Sequence, residues 1–300
     1  LTSLLLVLQF SMSMILDGKK VARQKRALLA ERVQTLVAKG IIPKLAFLTA
    51  GADEASLSYQ HSQARICAKL GIATQSINLA ADVTEEEVYN AVIQLNADVD
   101  VHGIIVAIPL PKVVDEERIL TAIDPQKDVD CLSPINRGRL AFDNSEFLPA
   151  TPAGIINLLH NYEIELEARH VVIIGRGKAV GWPLAQILIQ KTKKGNATVT
   201  ICHSRSGDLT RYTKQADILV AAVGRARFVG QEFIHSNQIV IDAGINAVET
   251  SAGWSMVGDV DFEAVSTKVK AITPVPGGVG PMTVAALLEN VVIAAERRSK

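Results

Sequence analysis

Three short segments, each separated from the next by a helix-like stretch, constrain this chain more than any other feature. KLAFLTA (44–50), ATQSINL (73–79) and VHGIIVAIPL (101–110) have the length and composition of strands, the first and third apolar enough to be buried on both faces. Between them, apolar residues recur at helical spacing from about Glu54 to Leu70, and again after Thr84, where Glu87 three residues on completes a capping box. A preceding helix fits Gly18–Lys39, with Gly40 as its C′ residue. Pro109 and Pro111 stop the third strand. Strand, helix, strand, helix, strand is the grammar of a parallel sheet with helical crossovers.

The segment 124–152, DPQKDVDCLSPINRGRLAFDNSEFLPATP, breaks that rhythm and reads as irregular; so long a loop inside a compact protein is usually functional. The alternation then restarts. HVVIIG (170–175), ATVTIC (197–202), DILVAAVG and QIVIDAG read as strands, with a helix over KAVGWPLAQILIQK. The expected fold is α/β, two α/β domains around a cleft, the second a Rossmann-type parallel sheet.

VVIIGRGKAVGWP places Gly175, Gly177 and Gly181 between a strand and a helix. Glycines there permit a tight turn and close backbone approach, and the helix start offers free N–H groups to phosphate. The spacing is GxGxxxG rather than GxGxxG, so an ordinary strand-to-helix turn is the alternative. The next strand ends in His203-Ser204-Arg205-Ser206, with no carboxylate until Asp208, and Arg176 sits in the glycine turn. Cations and hydroxyls suit the 2′-phosphate of NADP better than the free 2′-hydroxyl of NAD.

With 31 basic and 31 acidic residues the formal net charge is zero, which gives no electrostatic case for a nucleic-acid or membrane partner. Cys67, Cys131 and Cys202 form no CxxC pair, so a reduced, cytoplasmic setting without disulfides or a metal site is expected. The apolar start LTSLLLVLQFSMSM falls short of the roughly 20 residues of a membrane span and lacks a basic leader. Residues 1–13 are expected to be a non-native or disordered extension, with Met12 or Met14 as the natural start.

Near the C-terminus stands ITPVPGGVGPMTVAALLENV (272–291). With KDVD (127–130), N-x-G-R-L (136–140), VGWP (180–183), TVTICHS (198–204), IDAGIN (241–246) and GDVDF (258–262), the chain closely resembles the methylenetetrahydrofolate dehydrogenase/cyclohydrolase family from Asp17 to Asn290. The resemblance implies a folate-binding catalytic domain over 14–150, an NADP-binding Rossmann domain over 151–280, a final helix (281–300) packing back on the first domain, and a homodimer. It implies oxidation of 5,10-methylenetetrahydrofolate by NADP, then hydrolysis of the methenyl product. By position, Tyr59 would stack on the folate and Asp130 would bind the donor edge of the pterin. Ala107, Pro109 and Leu110 would lie beside the substrate, and the loop Pro276-Gly277-Gly278 would close the site. Gly175, Arg176, Gly177, Ser204, Arg205 and Ile245 fall on the cofactor side.

The departures concern catalysis. The family tyrosine is followed four residues later by a lysine; here that position is Gln63. The glutamine that partners this lysine is replaced by Ala107, and Cys131 stands for the glycine after DVD. Oxidation needs mainly orientation, because a substrate nitrogen pushes the hydride out, whereas hydrolysis needs a proton carrier that a neutral amide cannot supply. A dehydrogenase with a weak or lost cyclohydrolase step is therefore expected. A full bifunctional enzyme and a non-catalytic folate or nucleotide binder stay open. His61, about 200° around the helix from Gln63, should point elsewhere, and His102 reads as a satisfied core residue.

Overall fold

The computed structural model describes residues 13–51, 54–250 and 253–298, with the side chains of Ala55 and Tyr59 outside the description. The first half comprises β1 (Met14–Ile15), α1 (Gly18–Ala38), β2 (Lys44–Ala50), α2 (Glu54–Leu70), β3 (Ala73–Leu79), α3 (Glu85–Ala97), β4 (Gly103–Val106) and α4 (Glu116–Ala122). Two helices follow, α5 (Pro134–Ala141) and α6 (Ala150–Asn161). The second half runs β5 (His170–Ile174), α7 (Gly181–Ile189), β6 (Thr198–Cys202), α8 (Thr210–Thr213), β7 (Ile218–Ala221), β8 (Ile239–Asp242), β9 (Asn246–Thr250), β10 (Gly253–Val257), α9 (Phe262–Val265), β11 (Ala271–Ile272) and α10 (Val279–Arg298).

Both principal sheets are parallel. The smaller has the order β3-β2-β4 and the larger β1-β11-β8-β7-β5-β6, while β9 and β10 form a separate antiparallel hairpin. Alternation along β5 feeds two cores: Val171 and Ile173 pack on one face with Ile155, Leu184 and Ala285, and Val172 and Ile174 on the other with Phe233 and Val265. In the first half, Leu45 and Phe47 of β2 pack with Leu29 and Val33 of α1, and Ala46 and Leu48 with Val88 and Val92 of α3.

Two connections tie the halves. β1 pairs with β11, so the chain starts its described course in the larger sheet before entering α1. At the other end, α10 presents Leu287, Val291 and Val292 to α1 and β2, and Met282 and Ala285 to the core around α6. Among the described residues α10 is long and apolar enough to cross a membrane, but most of that surface is buried inside the protein. Asn290 of α10 donates to the carbonyls of Val129 (2.7 Å) and Leu148 (2.8 Å), pinning the segment between them.

The structure revises several expectations. The third strand is shorter, 103–106 rather than 101–110, although Ala107 N–H still reaches Leu48 O at 2.9 Å. The segment 124–152 is not wholly irregular, because it holds α5 and the start of α6. Its helical signal was Ser133-Pro134: the serine hydroxyl accepts from Asn136 N–H at 3.3 Å, and proline suits the first helical position. The helix after the glycine turn begins at Gly181, three residues later than expected. The expectation for residues 1–13 falls outside the described residues except at Ser13, whose hydroxyl bonds to the Val269 carbonyl.

Candidate active site

A cleft of about 300 Å³ lies between the halves. The ends of β2 and β4 supply Thr49, Val106 and Ala107, and α2 supplies Ser56, Gln60 and Gln63 at helical spacings of four and three. Asp130, Leu132 and Arg137 enter from the segment after β4, Thr151 from α6, and Thr283 and Leu287 from α10. Thr283 donates to Thr151 at 3.2 Å across the two helices, closing that wall.

Local structure fixes Asp130. Ile104 N–H donates to Lys127 O at 2.8 Å, extending the β4 edge through residues 127–129, and Asn290 holds Val129 from the far side. The neighbouring Asp128 carboxylate is fully engaged by Leu132 N–H (3.0 Å), Ser133 N–H (3.0 Å) and Asn136 Nδ2 (2.9 Å). Asp130, by contrast, accepts no hydrogen bond from the described residues. Burial, then the Asp128 charge, pushes its carboxyl up to about 7, with Arg137 pulling the other way. Gln63 is 7 % exposed and its amide likewise bonds to none of the described residues. Arg137 Nη1 is buried without an acceptor. Three side chains with unspent hydrogen-bonding capacity thus meet in one cleft.

Other side chains near the cleft are committed. Cys131 is buried with Sγ donating to Phe147 O at 3.1 Å, and burial raises its thiol pKa; its φ of 53° lies in the left-handed region that glycine fills without cost. His102 accepts from Lys44 N–H at 3.2 Å, and burial lowers its pKa, so it is a neutral core residue. His61 is exposed on α2 and does not line the cleft.

A second cavity, about 320 Å³, sits beyond the C-terminal ends of β5, β6 and β7, where successive crossovers leave β5 in opposite directions. That switch point is the usual dinucleotide position in such sheets. Gly175, Arg176, Gly177, His203, Ser204, Val223, Arg225 and Phe228 are among its lining residues, and no carboxylate among the described residues is. Gly175 has φ +119°, and a Cβ there would come within 2.0 Å of Ala222 O, so only glycine lets the turn approach that strand. At Gly177 a Cβ would meet nothing within 4 Å, leaving room for a ligand against the backbone. A bare turn, a helix start without a side-chain cap and a cationic rim fit a phosphorylated dinucleotide. The same turn also serves the first cleft, which Ala179 borders.

The expected site residues therefore divide. Gln63, Ala107 and Asp130 meet in the first cleft, and Gly175, Arg176, Gly177 and Ser204 in the second. Leu110 packs instead in the core with Val83 and Val114, because the chain turns inward after Pro109, which is exposed and outside the lining. The Pro276-Gly277-Gly278 loop is stitched to the start of α1: Gly277 O accepts from Lys19 N–H at 3.0 Å, and a Cβ on Gly18 would sit 1.8 Å from Gly278 O. Arg205 is exposed beside the second cavity, and Ile245, 68 % exposed, opens the β9–β10 hairpin. The Tyr59 side chain lies outside the described residues. Gln60, Thr49, Arg137 and Thr283 were not anticipated, nor was Arg225, which stacks 4.6 Å over Phe228. Helical spacing from Ser56 offered the one available signal, for Gln60.

Two adjoining sequence profiles match the chain: the catalytic domain of tetrahydrofolate dehydrogenase/cyclohydrolase over residues 16–130, and its NAD(P)-binding domain over 149–299. The chain belongs to the tetrahydrofolate dehydrogenase/cyclohydrolase family. It is 45 % identical over 289 residues to the bifunctional protein FolD of Chlorobium chlorochromatii, covering 94 % of this chain and 98 % of the relative. Among solved structures, it is similar to the bifunctional methylenetetrahydrofolate dehydrogenase/cyclohydrolase FolD of Campylobacter jejuni, with a TM-score of 0.90, 42 % identity and coverage of 95 % and 99 % of the two chains. The Trypanosoma brucei family member, solved with NADP and an inhibitor, aligns with a TM-score of 0.90 at 34 % identity over 96 % and 99 %. In this chain one turn, residues 175–180, borders both cavities.

Proposed function

We propose that this chain oxidises 5,10-methylenetetrahydrofolate with NADP, and that its methenyltetrahydrofolate cyclohydrolase step is weak or lost. The observation that carries the first part is the turn 175–180, which gives Gly175, Arg176 and Gly177 to one cavity and Ala179 to the other. The nucleotide, when bound, supplies the hydride acceptor. The chain's residues supply the rest. Asp130 offers an unpaired carboxylate to the donor edge of the pterin, and Gln63 offers a neutral amide. Phe47, Leu48, Ile105, Leu132 and Leu287 give the cleft a largely apolar wall that limits water. Arg176, Ser204 and Arg225 would hold the cofactor, whose 2′-phosphate suits a rim without carboxylates. Orientation of this kind is worth roughly 7–11 kcal/mol of barrier and needs no general base.

The second part rests on Gln63: an amide has no proton to exchange near neutrality, and among the described residues no lysine lines the cleft. A second reading, the full bifunctional enzyme, is favoured by the names of the relatives and by Asp130, which titrates near 7 and is a proton carrier at hand. One reaction separates them. With methylenetetrahydrofolate and NADP, NADPH and methenyl product should rise in step, the latter decaying at the buffer rate. Enzymatic removal of methenyl product establishes the bifunctional reading. Absence of NADPH overturns the dehydrogenase.

Asp130 also sets a pH dependence. Its carboxylate must be ionised to accept the pterin donors, so kcat/KM for the folate should rise with pH through about 7. For stability the sign is opposite. The folded state holds a proton between the usual carboxylate range and about 7 that the unfolded chain releases, so this group's stabilisation fades as pH rises across that window. A flat kcat/KM profile between about pH 5.5 and 9 would remove Asp130 from substrate binding.

The hairpin bears on assembly. Ile245, Trp254 and Met256 are 68 %, 75 % and 40 % exposed, an apolar surface suited to self-association in the homodimer that the resemblance implies. Sedimentation should show a species at roughly twice 32.2 kDa; a monomer at micromolar concentration counts against it.

A further inference from the structure

Arg137 occupies the position that the motif N-x-G-R-L leaves open, and the reaction proposed above gives it no task. It lies in α5, whose start is fixed by the Ser133 cap and by Asn136 Nδ2 donating to the Asp128 carboxylate at 2.9 Å. From this anchored turn its side chain reaches the folate cleft, beside Asp130, Gln63 and Ala107. A guanidinium withdrawn from solvent normally spends its donors on carboxylates or carbonyls. Here Nη1 is buried and has no acceptor. Asp128 is close enough to act on Arg137 electrostatically, but its oxygens are already taken by Leu132, Ser133 and Asn136. Asp130 also acts on Arg137 through its charge without forming an ion pair with it. The cation is held next to the acceptor of the site and is left unspent.

We propose that Arg137 is a specificity-determining residue for the folate ring: its guanidinium donates to the ring carbonyl next to the N–H that Asp130 accepts. Together the two side chains read an adjacent donor and acceptor on a flat heterocycle. The inference rests on the folate reading and adds to it. A reduced pterin carries its 4-oxo group beside N3–H, with the 2-amino group beyond. Asp130 takes the two donors, and the carbonyl is left for a donor on the same side. A charged guanidinium fills that role more strongly than the neutral amide of Gln63, and its fixed charge favours the ionised form of Asp130. A 2,4-diamino ring turns the carbonyl into a donor, which would face Arg137 donor to donor.

The test is calorimetric binding of tetrahydrofolate and of its 2,4-diamino counterpart to the full chain, to Arg137→Met and to Arg137→Lys. The unaltered protein should prefer the 4-oxo compound by at least about 10-fold. Arg137→Met should reduce that preference to about 2-fold or less and weaken tetrahydrofolate binding by roughly 10–100-fold, with NADP binding unchanged. Arg137→Lys should recover part of the preference. If Arg137→Met keeps the discrimination, or weakens both folates and NADP equally while unfolding at lower temperature, the role is structural and the inference is overturned. If the chain binds tetrahydrofolate but forms no NADPH, the dehydrogenase reading falls while the Arg137 comparison stands. Failure of the unaltered chain to bind either folate overturns both.

Discussion

Changing Gln63→Lys together with Ala107→Gln should raise methenyltetrahydrofolate hydrolysis by about 10²–10⁴-fold over the unaltered chain. The gain follows from what hydrolysis requires. Water must lose a proton as it attacks, and a ring nitrogen must receive one as the C–N bond opens. An amide does neither. A lysine at 63 would enter a position that is 7 % exposed, where burial lowers the ammonium pKa toward neutrality and makes both transfers feasible. Glutamine at 107 would give it a polar partner on the β4 end of the same cleft. The oxidation should change by no more than several-fold, because its orientation rests on the walls and on Asp130. Following methenyl loss after subtraction of the buffer rate measures the effect. No gain would mean that the missing lysine does not explain the chemistry. Rapid hydrolysis by the unaltered chain would mean that nothing was missing.

The second large effect concerns stability. Lys127→Met should destabilise the fold by about 3–5 kcal/mol, with Tm falling by roughly 10 °C. Lys127 is fully buried, and its ammonium donates to the carbonyls of Leu95 (2.9 Å), Asn96 (2.6 Å) and Asp98 (2.7 Å). The first two are open carbonyls in the last turn of α3 and the third belongs to its C-cap residue, so the ammonium sits at the negative end of the helix dipole. Methionine keeps the stem's packing and removes all three donors, so the Leu95 and Asn96 carbonyls are left unsatisfied, while Asp98 O keeps only Val101 N–H at 3.2 Å. The exposed Lys20, changed in the same way, should stay within about 0.5 kcal/mol. Urea and thermal unfolding of both variants give the comparison. A Lys127 variant within 1 kcal/mol of the unaltered chain would show that water replaces the ammonium.

Local signals in the sequence were reliable because their causes are local. The Thr84–Glu87 capping box is present, with Thr84 N–H donating to Glu87 at 2.8 Å, and β2, α2 and β3 have the expected bounds. Gly40 adopts φ +79°, as the end of α1 requires. What escaped was set by distant partners. The task of Lys127 within KDVD becomes visible only when α3 is seen to end beside it, and that of Asn290 only when it is seen clamping Val129 and Leu148. The resemblance places Leu110 beside the substrate, yet side-chain direction after a proline is decided by packing, which turns it into the core. The same holds for Arg137 and Gln60, whose helices had to be placed before their faces meant anything. The glycine turn was legible as a motif. Its second duty, through Ala179, required both cavities to be in view.

The position of α10 has a consequence during synthesis. Leu29, Val33 and Leu36 of α1 and Leu45 of β2 find much of their cover in Leu287, Leu288, Val291 and Val292, which leave the ribosome after everything else the first half needs. At ~5–20 residues per second, the intervening chain takes on the order of ten seconds to appear. Throughout that interval the nascent first half carries an open apolar groove, a natural target for a ribosome-bound chaperone. A stalled chain ending before residue 279 should therefore be sensitive to protease across α1, and should become resistant once the last helix is released.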